Sequence, residues 1–107
     1  MIAAVRKPST LLMGLDIGSS WKTFRVKGRE ARIGRALSND FRLKDPSVSR
    51  HHCRIERRAA DWWIEDLEST NGTFLNGELL EGASVLHHGD TLSLGFSSFL
   101  FVAESAN

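Results

Sequence analysis

Residues 32–56 read RIGRALSNDFRLKDPSVSRHHCRIE, and the spacing of their apolar positions decides the class of fold. Ile33, then Phe41 with Leu43, then Cys53 with Ile55 sit in short runs where apolar and polar residues alternate. Alternation is the period of a strand whose faces meet different surroundings. Ser38-Asn39-Asp40 and Asp45-Pro46 separate these runs, and their side chains and ring favour turns.

The same pattern continues outward. Phe24 and Val26 alternate before this stretch and Trp62 and Ile64 after it; Ser84-Val85-Leu86, Thr91–Leu94 and Phe99–Val102 read as the last strands. Lys27-Gly28, Asn71-Gly72, Asn76-Gly77, Gly82, Gly89-Asp90 and Gly95 supply turns between them. Apolar residues keep no three-to-four spacing over any long window. The expectation is an all-β sandwich or barrel.

The chain has 107 residues, 41% hydrophobic and 25% charged, which suits one folded domain and excludes a disordered or collagen-like chain. A net charge of +1 argues against general electrostatic binding of nucleic acid. Cys53 is the single cysteine, so no internal disulfide forms and an intracellular, reducing setting is expected. Leu11, Leu12 and Met13 make an apolar run too short for a signal peptide or a membrane span, so no membrane partner is expected. Residues 1–10 read as a flexible arm, 11–103 as a single domain and 104–107 as a frayed end.

The segment DPSVSRHHCRI, residues 45–55, admits three chemistries. Ser47 or Ser49 with His51 or His52 has no G-x-S-x-G elbow or S-x-x-K motif behind it, and a triad would also need an orienting carboxylate and an oxyanion hole, usually drawn from distant segments, so no catalytic residue is assigned. His51, His52 and Cys53 are consecutive, and on a strand they point to alternate faces, so no metal site or cofactor is assigned. GLDIGSS, residues 14–20, looks like the first phosphate loop of actin-like kinases, but those folds need a far longer chain. It reads as an apolar stretch before a turn.

An anion cradle is the third chemistry. With strands between them, Gly34-Arg35, Ser49-Arg50 and Thr70-Asn71 fall in separate loops that can gather at one end of a sandwich. Two guanidinium groups, two hydroxyls and an amide suit the acceptor oxygens of a phosphate. None of these groups is a good general base, so such a site binds and releases.

Gly34-Arg35, Ser49-Arg50-x-His52, Ser69-Thr70-Asn71-Gly72-Thr73, Asn76-Gly77, Gly89-Asp90 and Gly95, in that order, resemble the forkhead-associated (FHA) domain over residues 20 to 102. The resemblance implies an FHA-type (SMAD/FHA-like) β-sandwich of about eleven strands that binds phosphothreonine peptides with loops at one end. It assigns the phosphate to Arg35 and Ser49, with Arg50 and Thr70 adding contacts. It gives the peptide main chain to Asn71 and, as a second contact, Asn76. Gly34, His52 and Gly72 become structural support. The loops from Lys44 to Val48 and from Asn76 to Leu80 would read target residues beyond the phosphothreonine.

The expected partner is therefore a phosphothreonine-containing protein or peptide, with further domains possible in a longer parent chain. Two other readings belong to different classes: a scaffold that binds a partner through a sandwich face without phosphate, and self-recognition through phosphorylated Ser9 or Thr10. Arg42, Lys44, Arg54, Arg57 and Arg58 read as solvated charges. Of Trp62 and Trp63, one is expected inside and one partly exposed.

Overall fold

The computed structural model of the chain describes residues 10–16 and 21–103. The strands are β1 (Thr10–Leu15), β2 (Trp21–Arg25), β3 (Glu30–Gly34), β4 (Phe41–Arg42), β5 (Cys53–Arg58), β6 (Asp61–Asp66), β7 (Thr73–Leu75), β8 (Glu78–Leu79), β9 (Ser84–Leu86), β10 (Thr91–Leu94) and β11 (Ser97–Ala103). They form a six-stranded sheet, β2-β1-β11-β10-β7-β8, and a five-stranded sheet, β4-β3-β5-β6-β9. This is the expected all-β sandwich. Among the described residues no helix is long and apolar enough to cross a membrane.

Alternation dictates what lies between the sheets. In β11, Phe99 and Phe101 are buried while Ser98 and Leu100 face outward; in β3, Ala31 and Ile33 are buried while Arg32 is exposed. Leu12, Leu92, Leu94, Phe99 and Phe101 from one sheet meet Ile33, Phe41, Ile55, Ile64 and Leu86 from the other in one core. Each such side chain contributes about 1.5–3 kcal/mol by leaving water. Phe24 and Phe41, from strands at the edges of different sheets, stack with centroids 4.7 Å apart.

Most pairings are antiparallel, but β3 and β4 run parallel, with Ile33 opposite Phe41. The chain leaves β3 at Gly34 and loops round before returning beside the same strand. That loop therefore projects from the end of the sheet.

Several expectations need correcting. Thr10 opens β1 and pairs with Ala103, so it belongs to the sheet rather than to an arm. Residues 1–9, Ser9 among them, 104–107, and residues 17–20 of GLDIGSS lie outside the described residues. Trp62 and Trp63 are both half-buried, because Trp62 packs on the core's margin and Trp63 lies under Arg58, whose guanidinium is 5.2 Å from its ring.

Arg54 is not a solvated charge. Its side chain is 23% exposed and reaches Glu65 at 2.9 Å, Glu56 at 3.6 Å and Glu30 at 3.7 Å. The sheet register sets Arg54 opposite Glu65, where cross-strand neighbours of opposite charge attract.

Candidate functional site

The end of β3 is joined to the loop between β4 and β5 by a continued ladder. His52 N–H donates to Ile33 C=O at 3.0 Å, Arg35 N–H to Ser49 C=O at 3.0 Å, and Ala36 N–H to Arg50 C=O at 3.1 Å. Gly34 lies inside this ladder and is buried. A Cβ there would collide with the Arg50 carbonyl oxygen, so close approach, rather than an unusual backbone angle, demands glycine. The sequence Gly34-Arg35 thereby lies directly beside Ser49-Arg50.

Asn39 fastens the same junction from inside. It is buried, and its amide nitrogen donates to Ala36 C=O at 2.9 Å and to Arg50 C=O at 2.7 Å. Sequence reasoning read Asn39 only as part of a turn.

The loop between β6 and β7 joins through His52 and Ser49. The buried His52 ring accepts the Ser49 N–H at Nδ1, 3.0 Å away, and its Nε2 lies 2.8 Å from Gly72 C=O. Those partners require a neutral ring that carries its proton on Nε2. Thr70 N–H donates to Ser49 Oγ at 2.9 Å, and Asn71 Nδ2 to Ser47 C=O at 2.9 Å. The loops carrying Arg35, Ser49 and Thr70 are therefore one hydrogen-bonded unit.

Asp66 shapes the third loop. It accepts the hydroxyl and the amide of Ser69 and the hydroxyl of Thr73, while Ser69 Oγ accepts Gly72 N–H at 2.9 Å. Burial alone would raise the Asp66 carboxyl; the Ser69 and Thr73 donors hold it below the ordinary carboxylate range. Gly72 takes φ 84°, where a side chain would be strained. This Asp66 arrangement was not foreseen from sequence.

Asn76, expected as a second main-chain contact, has its amide engaged within the fold. With φ 50°, its Nδ2 donates to Asp90 Oδ1 at 3.0 Å and its Oδ1 accepts Thr91 N–H at 2.9 Å. The amide braces the β7–β8 turn against the segment leading into β10.

What remains unspent defines the chemistry. Arg35 anchors its Nε on Val48 C=O at 3.0 Å, and its terminal nitrogens have no partner among the described residues. Arg50 and Thr70 are exposed, and their side chains are unbonded there too. Ser49 Oγ accepts one bond and keeps its proton to donate. This end of the sandwich offers cationic and neutral donors, and among the described residues no carboxylate is paired to them.

Neither Ser47 Oγ nor Ser49 Oγ is hydrogen-bonded to His51 or His52 among the described residues. His52 bonds the backbone of Ser49 rather than its hydroxyl, and Ser47 Oγ is directed to Asp45. Neither serine is hydrogen-bonded to a base that could take its proton onto a ring nitrogen.

A β-sandwich whose loops present unpaired arginines and hydroxyls at one end has the architecture of a binding module. The FHA domain sequence model matches residues 31–95, and the chain belongs to the FHA family. FHA domains are interaction modules. An FHA domain-containing protein of Arabidopsis thaliana is 41% identical over 71 residues, covering 64% of this chain and 18% of the relative. The chain thus spans less than a fifth of that relative's length.

Among solved structures, Mycobacterium tuberculosis EmbR in complex with a low-affinity phosphopeptide superposes with a TM-score of 0.82 at 29% identity, over 92% of this chain and 25% of that one. A domain from a study of phosphothreonine-dependent FHA domain interactions superposes with a TM-score of 0.80 at 33% identity, over 91% of this chain and 98% of that one.

Proposed function

We propose that this chain is a phosphothreonine-peptide binding module that links proteins in a phosphorylation-dependent way. The observation that carries the reading is the shared unit above: the loops holding Arg35, Ser49 and Thr70 are bonded to one another while their donors stay free. Arg35 and Ser49 hold the phosphate, Arg50 and Thr70 add donors, and the exposed Asn71, fixed through one N–H to Ser47, aligns the peptide main chain with its remaining polar groups. Asn76 is left to bracing. A kinase that writes phosphothreonine needs ATP, so the setting is intracellular, in keeping with one unpaired buried cysteine.

Charge-assisted hydrogen bonds of about 1.5–3 kcal/mol each, three in number, support an affinity near 1 μM, about −8 kcal/mol. Fluorescence anisotropy with matched phosphothreonine, phosphoserine and unphosphorylated peptides tests this. Saturable binding is expected only with phosphate, and Arg35→Ala should weaken it at least about a hundredfold while the thermal melt stays in place. Equal binding of the unphosphorylated peptide would overturn the reading. Phosphothreonine should exceed phosphoserine by a factor of about ten, because one methyl group in a small pocket contributes about 1–3 kcal/mol.

A second reading, a partner bound through a sandwich face without phosphate, is favoured by one observation. On the outer face of the six-stranded sheet, Met13, Leu15, Trp21 and Leu100 are exposed on neighbouring strands. It predicts partner capture that survives both phosphatase treatment and Arg35→Ala.

A further inference from the structure

The loop end carries more positive charge than one phosphate needs. Arg42, just past the loop, donates from Nε to the Arg35 backbone carbonyl at 3.0 Å, and the adjacent Leu43 N–H bonds Gly34 C=O at 2.9 Å. Arg42 is thereby fixed against the residue that anchors the phosphate site. Arg35, Arg42 and Arg50 line one hollow with Ala36, Leu37 and Ser38.

No acid answers these guanidinium groups. Arg32, Arg54 and Arg58, on the strands, are each paired with a glutamate. Arg35, Arg42 and Arg50 have no carboxylate partner among the described residues. Arg35 and Arg42 are exposed and hold their Nε on backbone carbonyls, and among the described residues their terminal nitrogens have no partner.

Charge arithmetic points to a missing partner. A phosphomonoester carries about −1.5 to −2 at neutral pH. Three guanidinium groups in one hollow therefore keep about one positive charge after a phosphate has bound, and like charges held together repel. A carboxylate or a second phosphate is the group that would complete the hollow, since either accepts paired N–H donors from arginine.

We infer that the hollow beside the phosphate loops, with Arg42 as its reader, takes a second anionic group from the same target, near the phosphothreonine in sequence. This rests on the phosphothreonine reading above. Leu37, 81% exposed on the rim, leaves that side open to the peptide.

The test walks one glutamate along both flanks of a singly phosphorylated threonine peptide, with glutamine at the same positions as control and phosphoserine as a second arm. Anisotropy titrations use the full chain and its Arg42→Gln and Arg42→Lys variants, with thermal melts reporting folding. At one position glutamate should tighten binding by roughly five- to thirtyfold over glutamine. Arg42→Gln should erase that gain, so that the glutamate and glutamine peptides bind the variant alike, and Arg42→Lys should keep part of the gain because it keeps the charge. Phosphoserine binding more tightly than glutamate would identify a second phosphate as the source; equal effects would identify a carboxylate. A flat series, or a gain untouched by Arg42→Gln, overturns the inference alone. Failure of every phosphothreonine peptide on the unaltered chain removes the phosphothreonine reading, and this inference with it.

Discussion

Ser49 serves the loops and the ligand through different parts of one hydroxyl. Its oxygen accepts Thr70 N–H, and its proton is left for a phosphate oxygen. Ser49→Ala should therefore lower affinity at least about tenfold but cost stability only about 0.5–1.5 kcal/mol, because water can reach the exposed Thr70 amide. Denaturant titration beside anisotropy separates the two, and equal losses in both would make Ser49 merely a brace. Asp66 carries the pH dependence. Its folded carboxyl lies below the ordinary range and its unfolded one near about 3.9, so below about pH 4 the unfolded chain binds a proton that the folded chain does not. Its contribution is fully present above that window and is lost as pH falls through the folded value. Asp45, which burial would raise but which Ser47, Ser97 and Phe96 hold below the ordinary range, acts in the same window. Asp66→Asn should lower stability at pH 7 and flatten the acid limb of a stability-against-pH curve; an unchanged limb would assign the acid loss to the other lowered carboxyls, Asp45 and Glu56. The loop residues Arg35, Ser49 and Thr70 could be named from sequence because their types and spacing carry chemistry. Asn39 and Asp66 could not, because a short polar residue in a turn or at a strand end looks the same whether it faces water or fastens a loop.

Strand ends, more than strand middles, decide whether this site exists. Gly34 is where β3 passes from the core to the loops, and its missing side chain lets the Arg50 carbonyl approach. Gly34→Ala should cost about 1–3 kcal/mol through overpacking and should also weaken phosphopeptide binding, since that ladder holds Arg35 beside Ser49. A melt together with a titration checks it; a stability loss with affinity intact would show that the loops tolerate separation. Where strands alternate strongly, as in β5 and β11, the sequence pattern and the structure coincide. β8 has two residues, both exposed, so no alternation could announce it. The turn between β5 and β6 is Ala59-Ala60, with Ala59 at φ 54°, and contains none of the usual turn residues. There the pairing of Arg58 with Asp61 and of its neighbours down the ladder sets the turn, and the turn's own sequence does not reveal it.

The two outer faces of the sandwich differ as strongly as its two ends. The five-stranded sheet turns arginines and glutamates outward in pairs, whereas the six-stranded sheet exposes Trp21, Leu15, Met13 and Leu100. Neither contrast follows from a net charge of +1, because composition sums over faces that only the register separates. Between those faces Cys53 reports on the entire fold. It is fully buried on β5, next to the site's supporting His52, and burial, with Asp66 nearby, pushes its thiol far above the ordinary value. A thiol reagent therefore reaches Cys53 only when the sandwich opens. Peptide at about 100 times its Kd should stabilise the closed state by about 2.7 kcal/mol, and labelling of Cys53 by a disulfide reagent should slow by about a hundredfold if opening is global and fast to reclose. Binding seen in anisotropy with no change in labelling would mean that β5 opens locally while the loops stay assembled. The ladder makes the first outcome the expected one, because His52, bonded to Ile33, Ser49 and Gly72, ties the cysteine's own strand to every loop that the phosphate would touch.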